Sequence, residues 1–319
     1  MPFFHDHGLR LHFLLRGSGP PTVLIHGLGS SAADWAFQVP ALEPRSRLIL
    51  PDLPGCGLSA APAAGFTVAD AAASLWALLD AHGVAQPNLV GFSLGGAVAI
   101  EMALARPESV PRLALINTLA TYRIDHWTKW CKARVDAALV RALGMRRTAT
   151  LIAARLFPDA WQQPMRERAE NVIGAVPAST YLGMAAALLR WTAIARLGDL
   201  RSKTLVIAAE HDYTPLAEKK AMAARLEASL VVVRGSRHGT PFDSIAVTNA
   251  ALEAFLTDRG LPEPALWRRD EPSSSPPVSL ENSIVDEHAA AAWAFAQTAK
   301  AGAIGADELQ YGSGGSAPP

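Results

Sequence analysis

The chain has 319 residues, half of them apolar, with 29 basic and 29 acidic side chains and a formal charge of +0. That composition supports a large buried core, and its charge gives nothing global to hold nucleic acid or an anionic membrane surface. The two cysteines, Cys56 and Cys131, lie far apart with no C-x-x-C or zinc-type spacing, which argues against a disulfide framework and for a reducing compartment.

The opening "MPFFHDHGLRLHFLLRGSG" carries apolar bursts of two or three residues, unlike a secretory signal, and no apolar run is long enough to span a bilayer. A cytoplasmic protein without a membrane segment is expected. The runs "TVLIHG" (22–27), "SRLILPD" (46–52), "NLVGFS" (88–93) and "RLALINT" (112–118) are strand-length and apolar almost throughout. Such runs suit strands covered on both faces, as in a parallel sheet. Between them Val68, Ala71, Ala72, Leu75, Leu78 and Leu79 recur at helical spacing, and Gly83 marks the stop. Strand and helix alternating in this way predict an α/β fold, a mostly parallel central sheet with helices on both faces.

From 121 to 200 the pattern is helical with no convincing strand, and strands resume at "KTLVIAAEHD" (203–212) and "SLVVVRGSRHG" (229–239). The expected division is a core formed by 1–120 and 201–260, with an inserted helical cap at 121–200. Residues 261–319 are expected to be a Pro/Ser-rich linker and tail. Within that tail, 283–300 reads either as a helix that docks or folds on a partner, or as a weakly ordered alanine-rich stretch.

The chemistry centres on Gly91-Phe92-Ser93-Leu94-Gly95, a G-x-S-x-G pentapeptide between a strand and the helical "AVAIEMALA". A serine on such a turn is lifted above the carboxyl ends of the strands, where open α/β sheets place their ligands. Glycines at 91 and 95 let strand and helix approach closely. Ser93 is therefore the candidate nucleophile. Its base is expected from His238, which follows the last strand run and reaches the same sheet edge. Asp212, directly after "TLVIAAEH", is the candidate carboxylate, with Glu210 its rival; Asp199 is expected to cap or pair. "HGLGSS" (26–31) follows the first parallel strand, and its glycines, Gly27 among them, would turn main-chain N–H groups toward the reaction centre. The N–H groups of Leu28 and Leu94 are the expected oxyanion donors, with His26 holding the loop.

These residues resemble the α/β-hydrolase superfamily over roughly 10–260. "IHGLGSS" is similar to its oxyanion loop, "PDLPGCGLS" to its D-x-x-G-x-G-x-S turn, "VGFSLGG" to its nucleophile elbow, and "AAEHD" and "GSRHG" to its acid and base segments. The resemblance implies a serine esterase with no cofactor and no metal, acting on a small-molecule ester by a two-step acyl-enzyme route. Serine at 93 speaks against the branches whose nucleophile is aspartate. Lactone opening or carbon–carbon cleavage with the same triad remains an alternative, as does a binding or receptor protein on the same scaffold. From 121 to 168 ten Lys/Arg face four acids. This excess reads either as a solvated helical surface or as an anion-attracting rim. With "DLPGCGLS" and "GFSLGG" it is weakly similar to methyl ester esterases acting on pimeloyl groups held by acyl carrier protein, which would make the substrate carrier-bound. Trp127, Trp130, Trp161 and Trp191 are expected either to line an acyl pocket or to pack the insertion on the core.

Overall fold

A computed structural model describes residues 2–6 and 8–270. An eight-stranded sheet organises them, in the order β1-β2-β4-β3-β5-β6-β7-β8. The strands are β1 (Phe3–Asp6), β2 (Leu9–Arg16), β3 (Pro21–Ile25), β4 (Arg47–Pro51), β5 (Asn88–Phe92), β6 (Arg112–Ile116), β7 (Lys203–Ala209) and β8 (Ser229–Val233). From β4 to β8 every neighbouring pair is parallel, while β1–β2 and β2–β4 are antiparallel. The apolar runs form the central strands, and β5 is buried along its whole length.

The N-terminal hairpin is the part the apolar pattern did not show. In β2, His12 is as buried as its neighbours Leu11 and Phe13, so no clean alternation of polar and apolar residues survives.

The helices are α1 (Val39–Leu42), α2 (Val68–Ala81), α3 (Leu94–Ala105), α4 (Trp127–Leu156), α5 (Gln163–Ala175), α6 (Ala178–Leu188), α7 (Leu216–Arg225), α8 (Thr240–Asp243) and α9 (Ile245–Leu256). Thr67 caps α2 by accepting from Asp70 N, and Gly83 takes a left-handed turn just beyond its end. Helix α3 is buried on nearly every side, which explains its alanine-rich, unpatterned sequence.

Between β6 and β7 the chain makes an insertion dominated by α4, α5 and α6, and an isolated antiparallel bridge between Thr121 and Thr192 joins its two ends. Its helices share a small apolar core of Val140, Met145, Ala149 and Ile173, separate from the core beneath the sheet. Helix α4 breaks at Gly144, where φ is 73° and ψ 167°. Trp191 anchors the insertion by donating from Nε1 to Glu101 on α3 at 2.7 Å, and Arg196 pairs with the same carboxylate.

Residues 261–270 are not a free linker, contrary to the reading from composition. Arg234 N donates to Trp267 O, Ile245 N donates to Asp270, and Arg269 pairs with Asp159 of the insertion at 2.6 Å. Backbone pairing and a partnered charge hold this stretch despite its prolines. The helix expected at 283–300 lies outside the described residues. No single helix among them is long and apolar enough to cross a membrane.

Candidate active site

Ser93 sits between the end of β5 and the start of α3 with φ at 54° and ψ at −117°, a left-handed conformation that costs energy for a residue with a side chain. Close backbone packing on either side of it holds the turn in place. A Cβ at Gly95 would fall 2.6 Å from the Ile25 carbonyl carbon, and one at Gly91 would fall 2.6 Å from Gly96 Cα. Strand and helix are thus in backbone contact, and the serine side chain is pushed out above the sheet.

His238 lies on the loop after β8, and its Nε2 is 2.9 Å from Ser93 Oγ. Its Nδ1 is 2.9 Å from Asp212 Oδ1. A carboxylate can only accept, so Nδ1 carries the proton and Nε2 is free to accept from the serine hydroxyl. Sequence reasoning places these three residues at one sheet edge, and the structure brings them into a single hydrogen-bonded chain. Glu210 points elsewhere, accepting from Gly235 N, and His82 donates to Leu78 O at the end of α2.

Asp212 accepts from four donors. Thr214 N and His238 Nδ1 meet Oδ1, while Thr214 Oγ1 and Lys219 Nζ meet Oδ2. Burial alone would raise its pKa. Hydrogen bonding and charge from His238 and Lys219 outweigh that effect and hold the carboxyl well below the usual range. Asn117, in the left-handed region at φ 46°, ties acid and base together. Its Oδ1 accepts from Ala209 N at 2.8 Å and from Lys219 Nζ at 3.3 Å, while its Nδ2 donates to His238 O at 2.8 Å. Asp243 braces the base loop by accepting from Ser236 Oγ, Ser244 Oγ and Arg237 N.

Lys219 and Asn117 were not found from the sequence. A signal for Lys219 existed. In α7, Lys219, Met222 and Ala223 form the buried face at i, i+3 and i+4, so the lysine stands where an apolar residue belongs.

The loop after β3 lies against the serine: a Cβ on Gly27 would stand 3.5 Å from Ser93 Cβ. His26 accepts from Leu53 N at 2.9 Å and donates from Nδ1 to Gly27 O at 2.8 Å. Asp52 accepts from Ala32 N and Leu58 N and meets His12 Nδ1 at 2.8 Å, all buried. His12, to which the sequence assigned no place, thus belongs to the support of this loop.

A cavity of about 320 Å³ opens over Ser93 and His238. Its floor is Gly27, Leu28, Phe92 and Phe242, and its far wall is Ile152, Phe157, Met165, Ile173 and Tyr181 from the insertion. Tyr213 stacks on the His238 ring at 4.2 Å, and the Arg155 guanidinium lies over Tyr213 at 5.3 Å. Of the two roles expected for the four tryptophans, lining a pocket or packing the insertion on the core, none of them takes the first. Trp127 and Trp130 are exposed, Trp191 is anchored on α3, and Trp161 meets Arg269. Of the ten basic residues in 121–168, Lys132, Arg155 and Arg168 reach the cavity, whereas Arg146 and Arg147 face solvent.

A mostly parallel sheet, a strained serine on its strand-to-helix turn, and an imidazole and carboxylate delivered by two later loops define a hydrolase architecture. The family model for the alpha/beta hydrolase fold matches residues 20–244, and the chain belongs to that family. A protein of Variovorax paradoxus bearing the name carbamate hydrolase RutD is 33% identical over 257 residues, covering 77% of this chain and 96% of the relative. The crystal structure of a hydrolase from Pseudomonas aeruginosa PA01 superposes with a TM-score of 0.73 at 29% identity, covering 80% of this chain and 97% of that one. A thermophilic esterase from Thermogutta terrifontis superposes with a TM-score of 0.70 at 25% identity, covering 80% and 96%.

Proposed function

We propose that the chain is a serine hydrolase that cleaves a carboxylic ester through a covalent acyl-enzyme. The observation that carries this reading is the hydrogen-bonded chain from Ser93 Oγ through His238 to Asp212. Oγ adds to the carbonyl carbon while Nε2 takes its proton. Asp212 holds the imidazole tautomer and stabilises the imidazolium. The carbonyl oxygen, now negative, accepts from the N–H groups of Leu28 and Leu94; each such donor typically lowers the barrier by about 3 kcal/mol. The imidazolium then protonates the departing alkoxide. A water molecule, deprotonated by the same Nε2, attacks the acyl carbon and restores Ser93. The insertion at 121–200 acts as a cap, and its apolar wall sets which acyl group fits.

A carbamate is the second reading, favoured by the name of the Variovorax relative. Its carbonyl would be attacked in the same way, with the carbamoyl group on Ser93. A panel separates the two: p-nitrophenyl esters from acetyl to dodecanoyl, aryl carbamates and a simple lactone, each with wild type and Ser93→Ala. Loss of the nucleophile in a related triad costs about 10⁶ in turnover, so Ser93→Ala should fall to background on every active substrate. Undiminished turnover in that variant would sink the proposal, and a preference for carbamates would replace the ester reading.

A further inference from the structure

Lys219 is unusual in two respects. Lysine is rarely fully buried, and then as a paired charge, and this side chain has no exposed surface. It also lies in the first half of α7, near the positive end of the helix dipole, where a cation is disfavoured. Its ammonium donates to Asp212 Oδ2 and Asn117 Oδ1. Asp212 would not be short of donors without it, since Thr214 supplies two and His238 a third. A buried charge retained on a carboxylate that is already well served points to an electrostatic task.

We infer that Lys219 is a positioning residue that tunes the Asp212–His238 couple, by withdrawing part of the carboxylate's field from the imidazole. This rests on the proposed triad. With the groups in direct contact, a carboxylate facing His238 alone would stabilise the imidazolium more than one shared with a cation does. The cation on the opposite oxygen cancels part of that pull, so the base stays available at lower pH. Asn117 Oδ1 fixes the ammonium's place and, through Nδ2, the His238 backbone.

The other groups around this couple do not substitute for it. Tyr213, stacked on the imidazole, and Tyr122, buried near Asp212, are phenols, and burial pushes Tyr122 up to about 12. Arg155 stands beyond Tyr213 at the cavity wall, and the Asp243 carboxylate braces the loop that carries His238. Burial pulls Lys219 below the ordinary lysine value, with Asp212 opposing that pull.

The test is Lys219→Met, an isostere without charge, with Lys219→Gln as the second variant. The first readout is kcat/KM against pH on the best ester of the panel. The second needs no substrate: the His238 imidazole resonance titrated by NMR in the Ser93→Ala background with and without the Lys219 change. The expected result is that the acidic limb, and the imidazole midpoint with it, moves up by about one pH unit in both variants. That is a tenfold loss at the acidic end with little change on the alkaline plateau. A uniform fall in kcat at every pH, with the imidazole midpoint unmoved, would overturn the inference and leave Lys219 a packing element. So would failure of both variants to fold. If no substrate is turned over by wild type, the ester reading fails while the NMR comparison still decides the role of Lys219.

Discussion

The two walls of the cavity are built on different principles. The side carrying the Ser93–His238–Asp212 chain is tightly packed: its glycines touch backbone, its carboxylate has four donors, and Leu28, Phe92 and Phe242 lie beside Ser93 and His238. The opposite wall is mostly apolar side chains, with Lys132, Asp136, Arg155 and Arg168 among them, on helices that own a small separate core and leave much of α4 in solvent. The contrast separates two tasks. Bond-breaking groups must be held within fractions of an ångström, and close packing with satisfied hydrogen bonds achieves that. Choosing an acyl group needs only shape and apolar area, which helices can change without disturbing the triad.

The comparison can be broken at its rigid side first. Gly95→Ala forces a methyl group onto the Ile25 and His26 carbonyls, and should destabilise by about 3 kcal/mol or more, or prevent folding. Thermal melting reads this directly; an unchanged Tm would mean the strand–helix contact is looser than described. Asn117→Ala comes next. It strips acceptors from Ala209 N and Lys219 and a donor from the His238 carbonyl, and places alanine in a left-handed conformation. A loss of about 2–3 kcal/mol in urea unfolding is expected, with turnover falling about a hundredfold because acid and base lose their common tie.

Across the cavity the effects should change in kind. Ile173→Ala enlarges the apolar wall and should shift the preferred acyl length by about tenfold in kcat/KM between short and long esters. The pH profile should stay as in wild type, and a shift in its acidic limb would show that the two walls are coupled after all.

The smallest effect concerns Asp243, whose carboxyl is raised to about 6 chiefly by burial, against its hydrogen bonds from Ser236, Ser244 and Arg237 N. In the window between the unfolded value near 3.8 and about 6, the folded state holds more protons than the unfolded one. This group therefore contributes stability at low pH that is lost as pH rises through that window. Asp243→Asn removes the titration, so its stability relative to wild type should improve by ~1–2 kcal/mol between pH 4 and pH 7. Melting curves at both pH values check the sign; a difference that does not grow with pH contradicts it.

The rigid wall was also the legible one. G-x-S-x-G, the histidine after "SLVVV" and the aspartate after "TLVIAA" occur at fixed places relative to strand ends, so one-dimensional order already implied their meeting. What holds them was largely hidden. Asn117, Lys219 and His12 act through contacts across as many as 123 residues of sequence, and polar residues facing a core look like surface residues in a linear pattern. The insertion was legible only as helix. Its tryptophans read either as pocket or as packing, and Trp191 packs on the core while the cavity is lined by Ile152, Phe157, Met165 and Ile173, because the direction of a helix face depends on packing between helices. Prolines made 261–270 look like linker where backbone pairing and the Arg269–Asp159 contact hold it.

The most direct test of the whole reading is to trap the covalent state. Wild type mixed with excess p-nitrophenyl acetate, quenched in acid during turnover and digested, should carry one acetyl group on the peptide containing Ser93, and Ser93→Ala should carry none. Turnover with no acyl group on that peptide, or with the label on another residue, would contradict Ser93 as the nucleophile.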